Sequence, residues 1–187
     1  MNFNEQEFKK IIRPHMRRCR AGDLEHNQRA AQWVKKLGVG RDDLYLIVTA
    51  AYVHDIGWRD VLPDKKITLD ELIDHEEKAN NNSEPNAREV LGQLDYSEEE
   101  IKTVLRIIKS ADTRQTNQQD EEIMVDADNL SKLTIDHLKE KYQESEWPRM
   151  LELWKAEIPM RIRTKMGRKL YPELLVILEK RLEDYKK

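Results

Sequence analysis

The chain has 187 residues, of which 39% are hydrophobic and 37% are charged. This length suits one domain with a real core, and a formal net charge of −3 argues against a general nucleic-acid-binding protein. Because the single cysteine excludes an internal disulfide and no apolar run approaches the roughly 20 residues that cross a bilayer, we expect a cytoplasmic protein without a membrane span.

Apolar residues at helical spacing predict three helices in the first third of the chain, over residues 8–16, 24–37 and 44–53. Pro14 is expected to bend or split the first of them. The third is almost continuously apolar, which is typical of the central helix of a bundle. Gly57 is expected to end this helix, so that His54 and Asp55 lie in its last turn.

Two capping boxes, at residues 68–71 and 97–100, predict the starts of further helices. Between them, the sequence ANNNSEPN over residues 79–86 is rich in turn-forming residues and predicts a mobile surface loop. The polar stretch 113–122 predicts another loop, after which residues 123–133 resume a helical core pattern.

The segment from residue 134 to the end is rich in charges and tryptophans and predicts additional helices, the last from Gly167 onward. We find no convincing strand pattern and no internal repeat. The predicted fold class is therefore all-α, with one domain over residues 1–187 that comprises a core over about 23–133 and C-terminal helices. The helical spacing of Trp147 and Trp154 predicts core or interface residues, and their exposed appearance in the sequence is compatible with a homodimer.

His54 and Asp55 are adjacent at the end of the central helix, and His26 and the pair Asp126 and Asp128 lie on two other predicted helices. Neighbouring helical residues point about 100° apart, so His54 and Asp55 reach one ion only at a helix end. Each residue alone has an ordinary structural interpretation. Together, imidazole nitrogens and carboxylate oxygens form a ligand set that suits Mn, Fe, Zn, Ni or Mg.

This H…HD…D pattern in an all-helical chain resembles the HD-domain superfamily of metal-dependent phosphohydrolases. The resemblance implies that His26, His54, Asp55 and Asp128 bind one divalent cation. Asp128 is preferred because the last motif of that family usually reads Ala-Asp, a polar residue and Leu, as in ADNL here. Asp126 is then a group behind the ligands or an alternative ligand.

Several departures from the family pattern indicate which branch of the superfamily the chain resembles. Only His75 lies between the HD pair and the last Asp, so the resemblance implies one metal rather than two. Trp58 stands where the cyclic-dinucleotide branch has Lys, and only Asp60 remains of the acidic pair of the stringent-response hydrolases. The tail MRIRTKMGRKLYPELL looks like that of small bacterial HD hydrolases.

The resemblance implies a phosphohydrolase in which His54 and Asp55 lie at the reacting centre and a metal-activated water cleaves a phosphomonoester or phosphoanhydride of a nucleotide-like substrate. Arg59 and Lys109 are the predicted contacts to the substrate phosphate. The alternatives are an HD-type phosphodiesterase and a non-catalytic, metal-stabilised helical module that binds a nucleotide or a protein.

The basic segments and the other histidines are more typical of structural residues than of functional sites. The basic runs over 13–20 and 161–169 are balanced by acidic residues elsewhere and lack interleaved aromatic residues, so they argue against a nucleic-acid partner. His15 and His137 have no partners at useful spacing and are expected on the surface. His75 is also expected on the surface, with a contact behind the metal ligands or to substrate as the alternative.

Overall fold

The computed structural model describes residues 3–63 and 65–185 and confirms the predicted all-α fold class. Its α-helices are α1 (Glu5–Met16), α2 (Asp23–Leu37), α3 (Leu44–Val53), α4 (Leu69–Leu91), α5 (Glu98–Thr113), α6 (Gln119–Ser131), α7 (Ile135–Lys141), α8 (Trp147–Arg161) and α9 (Lys165–Tyr185). Two short 3-10 helices cover His54–Trp58, called the HD turn below, and Glu144–Glu146. Within the described ranges, none of the helices has the length and apolar character needed to cross a bilayer.

Both predicted capping boxes are confirmed. The hydroxyl of Thr68 accepts a hydrogen bond from the Glu71 amide, and the Glu71 carboxylate accepts one from the Thr68 amide. Ser97 and Glu100 make the same pair of bonds at the start of α5. Each box satisfies backbone donors that a helix start leaves without partners, which fixes where these two helices begin.

The predicted loop over residues 79–86 is wrong, because α4 continues through it. Pro85 lies on the exposed side of α4, while the opposite side packs against the HD turn. Asn86 donates a side-chain hydrogen bond of 3.1 Å to the carbonyl oxygen of Ile56. Gly57 lies directly on α4, where a Cβ atom would collide with the carbonyl oxygen of Ala79. These tertiary contacts stabilise helix in a segment whose composition favours a turn.

Helix α3 is central, as predicted, and is buried from Leu46 to Val53. It packs against α2, α5 and α6, which supply the other walls of the bundle. His54 and Asp55 do not lie in its last α-helical turn; they begin the tighter HD turn that follows Val53. The chain thus changes from α-helix to 3-10 helix at His54 and Asp55, the adjacent pair that the sequence predicts as metal ligands.

The C-terminal helices form a second apolar core rather than an exposed surface. Trp147 and Trp154 are only 5% and 4% exposed, and they pack with Met150 and Leu178. Their expected place in the core is confirmed and their exposed appearance in the sequence is wrong, because Trp147 lies against Tyr185 of α9 and Trp154 against His137 of α7. The argument for a homodimer that rested on them is thereby removed.

Candidate metal centre

Three side chains from three separate elements converge inside the bundle: His26 of α2, His54 of the HD turn and Asp128 of α6. The Nε2 atom of His26 lies 3.0 Å from Asp128 Oδ1 and 3.2 Å from His54 Nε2. The Nε2 atom of His54 lies 3.5 Å from the same carboxylate oxygen. All three residues are buried, and this group could bind a metal ion.

The spacing of these atoms suits a shared cation. Ligand atoms at about 2.0–2.2 Å from a metal lie roughly 3.0–3.6 Å from one another when they are neighbours in a tetrahedral or octahedral shell. The distances among His26, His54 and Asp128 fall in this interval. Asp55 lies just outside this interval, with Oδ2 at 3.7 Å from both Nε2 atoms.

Hydrogen bonds behind the two imidazoles fix their tautomers. The hydroxyl of Ser131 donates to the carbonyl oxygen of Asp128 at 2.7 Å, so it must accept from Nδ1–H of His26 at 3.0 Å. His54 donates from Nδ1 to the carbonyl oxygen of Ala51 at 2.9 Å. When both imidazoles are neutral, their Nε2 atoms therefore direct lone pairs at the same point, the arrangement by which outer hydrogen bonds prepare histidines for metal.

The electrostatics of the site favour a positive charge at that point. Burial lowers the pKa of His54, but the carboxylates of Asp55 and Asp128 raise it by more, to about 9. Burial together with the charge of Lys141 lowers the pKa of His26 to about 3. Without a cation, a proton on His54 is the charge that the two carboxylates stabilise; a divalent ion would take its place.

Asp55 belongs to a buried group of charges. This charge cluster comprises Arg20, Asp23, Asp55 and Lys141. Arg20 donates from Nη2 to Asp55 at 2.9 Å and from Nε to Asp23 at 3.0 Å. Lys141 forms an ion pair with Asp23 and reaches Asp55 Oδ2 at 3.5 Å. The guanidinium of Arg20 also stacks 3.7 Å above the ring of Trp58. Two positive and two negative charges thus balance away from water.

Replacing Lys141 by Met is expected to lower the free energy of unfolding by about 3–5 kcal/mol, because two buried carboxylates then share one cation. Burial lowers the pKa of Lys141, but Asp23 and Asp55 raise it by more, so the native side chain is charged at neutral pH. The expected fall in Tm is roughly 6–20 °C for a protein of this size. Thermal unfolding followed by circular dichroism measures it.

Lys139→Met is the matched control for this substitution. Lys139 lies on the same helix, but its ammonium group stacks 4.4 Å above the ring of Tyr185, remote from the charge cluster. Its removal should cost less than about 1 kcal/mol. Equal losses of stability in the two variants would show that the charge cluster has no special role.

The predicted phosphate contacts require correction. Arg59 does not line the cleft at the metal centre, because its guanidinium points to Asn86 at 2.7 Å and to Glu89 at 2.6 Å. Lys109 also lies outside this cleft and lines a neighbouring groove instead. Both positions were inferred from closeness in sequence to the motifs, which does not determine the direction of a side chain.

Asp126 points away from the metal centre. Its carboxylate accepts hydrogen bonds from the amides of Arg163 at 2.7 Å and Thr164 at 2.8 Å, and from the Thr164 hydroxyl at 2.6 Å. Asp126 therefore anchors the start of the last helix to α6. It is neither an alternative ligand nor a group behind the ligands, whereas Asp128 lies on the face of α6 that meets His26.

His137 is buried, so its predicted place on the surface is wrong. It is 1% exposed, and its ring lies 4.7 Å from that of His26 and 5.5 Å from that of Trp154, measured between centroids. The sequence had no local signal for this contact, because α7 is brought to α2 by the second apolar core. Arg20 and Asp23 were also missed, although the spacing of Arg20, Asp23 and His26 by three residues indicates one shared face.

A cleft of about 100 Å³ opens above the metal centre. Its lining combines the ligands with cationic and acidic side chains: Arg20, Glu76, Asp112, Arg114, Lys132 and Lys141. Asp112 stands on the α5 side, and burial raises the pKa of its carboxyl to about 7. With no cation in the cleft, a carboxyl group of this kind is about half protonated at neutral pH and can donate a proton.

No protein-family model matches the chain, and neither a curated protein nor a solved structure is significantly similar to it. The inference of function therefore depends on the chemistry of the cleft. That chemistry is a buried His-His-Asp group, an adjacent carboxylate held by two cations, and a carboxyl with a raised pKa on the facing wall.

Proposed function

We propose that the protein is a phosphohydrolase of the HD-domain type that depends on one divalent cation. In this proposal His26, His54, Asp55 and Asp128 hold the ion, and the substrate is a phosphomonoester or phosphoanhydride of a nucleotide-like molecule. The observation that carries the proposal is the convergence of two imidazole lone pairs and carboxylate oxygens on one point in an open cleft. A resident ion there retains positions for water and substrate.

The balance of charge supports a phosphate ligand. Around the centre three carboxylates face three cations, namely Asp23, Asp55 and Asp128 against Arg20, Lys132 and Lys141. Glu76 and Arg114, which also line the cleft, are paired with each other, so these charges cancel when both imidazoles and the Asp112 carboxyl are neutral. A divalent cation would give the cleft an excess of two positive charges, which a phosphate dianion neutralises.

Each residue of the cleft has a role in this proposal. The bound cation lowers the pKa of water and offsets negative charge on the phosphoryl group. Asp55 accepts a hydrogen bond from the attacking water, and Arg20 and Lys141 keep its carboxylate ionised and oriented. Lys132, 2.7 Å from Asp128, keeps that carboxylate ionised.

We assign the general acid to Asp112. Water adds to phosphorus, the bond from phosphorus to the leaving oxygen breaks, and Asp112 gives its proton to that oxygen; the remaining proton passes to solvent, and Asp112 is then reprotonated. Asp112 is suited to this role because it lines both the cleft and the adjoining groove, where a leaving group would extend. Without such an acid, an alkoxide would have to leave unprotonated.

The test is phosphate release from a panel of nucleotides, phosphorylated metabolites and phosphodiesters. Metal-stripped protein receives Mn²⁺, Mg²⁺, Ni²⁺ or Zn²⁺ separately, with His54→Gln as the inactive control. We expect metal-dependent release by the native protein alone. Cleavage restricted to diesters would identify a phosphodiesterase instead. Absence of any release by folded, metal-loaded protein would contradict the proposal and favour the non-catalytic binding module.

A further inference from the structure

A groove between α4 and α5 adjoins the cleft at the metal centre. Its volume is about 540 Å³, against about 100 Å³ for the cleft. Asn80 and Asp112 line both spaces, so the two adjoin each other at these side chains. Sites for whole organic ligands usually occupy about 300–1,000 Å³. The cleft thus has room for a phosphoryl group only, and the rest of a substrate has to extend into the groove.

The groove offers apolar contact along one wall. Leu105 and Ile108, which are three residues apart on α5, line it together with the short polar side chains of Asn80 and Asn81. This combination suits a flat ring whose faces meet aliphatic carbon and whose edges accept hydrogen bonds from amides. An extended polar chain would leave the apolar wall in contact with water.

The rim of the groove contains four cationic side chains: Arg88, Lys102, Arg106 and Lys109. Three of them are paired with carboxylates, Arg88 with Glu98, Lys102 with Glu99, and Arg106 with Asp120 and Glu121. Lys109 has no ion-pair partner among residues 3–63 and 65–185. It therefore presents a positive charge that only a ligand or solvent can match.

We propose that the groove binds the leaving group of the substrate, and that this leaving group contains an apolar ring and a second anionic group that pairs with Lys109. The inference deepens the proposed function and rests on it, because it defines the substrate as a phosphate ester or anhydride of an anionic, ring-containing molecule. It also gives Lys109 a role at the far end of the substrate rather than at the phosphoryl group that is cleaved.

The first experiment separates groove from cleft with two ligands that cannot be hydrolysed. Inorganic phosphate fills the cleft alone, whereas phenylphosphonate also places a ring in the groove. Calorimetric titration of Mn²⁺-loaded protein should show phenylphosphonate binding about tenfold more tightly, because the ring leaves water. Asn81→Trp, which blocks the groove, should abolish this gain and leave phosphate binding unchanged.

Asn82→Trp is the matched control, since Asn82 is the next residue of α4 and does not line the groove. It should retain the preference for phenylphosphonate. If phosphate binds but the ring adds no affinity, or if Asn81→Trp has no effect on it, the groove is not the subsite. If neither ligand binds to folded, Mn²⁺-loaded protein, the proposed function itself is contradicted, and the subsite with it.

The second experiment tests the anionic group. A para-carboxylate on phenylphosphonate should tighten binding to the native protein about two- to fivefold, the usual effect of a partly exposed ion pair. Lys109→Met should remove this advantage, whereas Lys102→Met, which removes a cation already paired with Glu99, should retain it. An advantage that persists in Lys109→Met, or that is absent from the native protein, would overturn the role of Lys109.

Discussion

Asp128→Asn is expected to lower the affinity for a divalent cation by more than about 100-fold, because partners that lie only behind metal ligands are already worth about 10–100-fold. The substitution removes the charge that faces His26 and His54 but retains the shape of the side chain. Phosphate release at limiting metal should fall in proportion. Competition with a metal-chelating dye measures the affinity, and circular dichroism establishes that the variant is folded.

Asp126→Asn is a control on the same helix, two residues away. Its carboxylate receives three hydrogen bonds from Arg163 and Thr164 and none from the metal centre. We expect unchanged metal affinity and a loss of about 1–3 kcal/mol in the free energy of unfolding, because an amide cannot accept all three bonds. A loss of metal affinity in Asp126→Asn equal to that in Asp128→Asn would contradict the assignment of ligands.

Asp112→Asn should lower kcat about 100- to 10,000-fold for substrates with a poor leaving group, the usual contribution of a general acid. The same variant should cleave 4-nitrophenyl phosphate at nearly the native rate, because 4-nitrophenolate leaves without a proton. Burial already raises the pKa of Asp112 to about 7, so a neutral amide of equal size should be tolerated by the fold. Steady-state kinetics with alkyl and 4-nitrophenyl phosphates measure the contrast.

The control for Asp112 is Glu76→Gln. Glu76 lines the same cleft, but it is paired with Arg114 at a distance of 2.5 Å and is therefore held as an acceptor. Loss of the Glu76 carboxylate should change kcat for the alkyl and 4-nitrophenyl substrates by a similar factor. An equal loss for alkyl and 4-nitrophenyl substrates in Asp112→Asn would instead assign a structural role to Asp112.

Much of the fold follows from local sequence. The apolar run of α3 and the two capping boxes act within a few residues, so they predict a central helix and two helix starts correctly. The loop predicted over residues 79–86 is wrong because tertiary contacts of Asn86 and Ala79 with the HD turn stabilise helix there. Composition alone cannot reveal a partner 30 residues away.

The residues of the candidate site also fall into those that the sequence could predict and those that it could not. His26, His54 and Asp128 could be predicted because their pattern resembles a known family, and they converge in the structure. Lys141 and His137 could not, because α7 reaches the centre only through the packing of the second apolar core. Lys141 contacts Asp55 and His137 contacts His26, and both partners are far away in sequence, so the sequence around α7 gives no sign of either contact.

Gly57 allows the HD turn to approach α4 closely. The HD turn lies directly on the backbone of α4, and a methyl group at this position would strike Ala79 and Ser83 and act as a spacer between the two walls. One wall bears His54 and Asp55, and the other bears Glu76 and Asn80. A side chain at position 57 is therefore expected to push these walls apart and widen the cleft, although Gly57 itself does not line it.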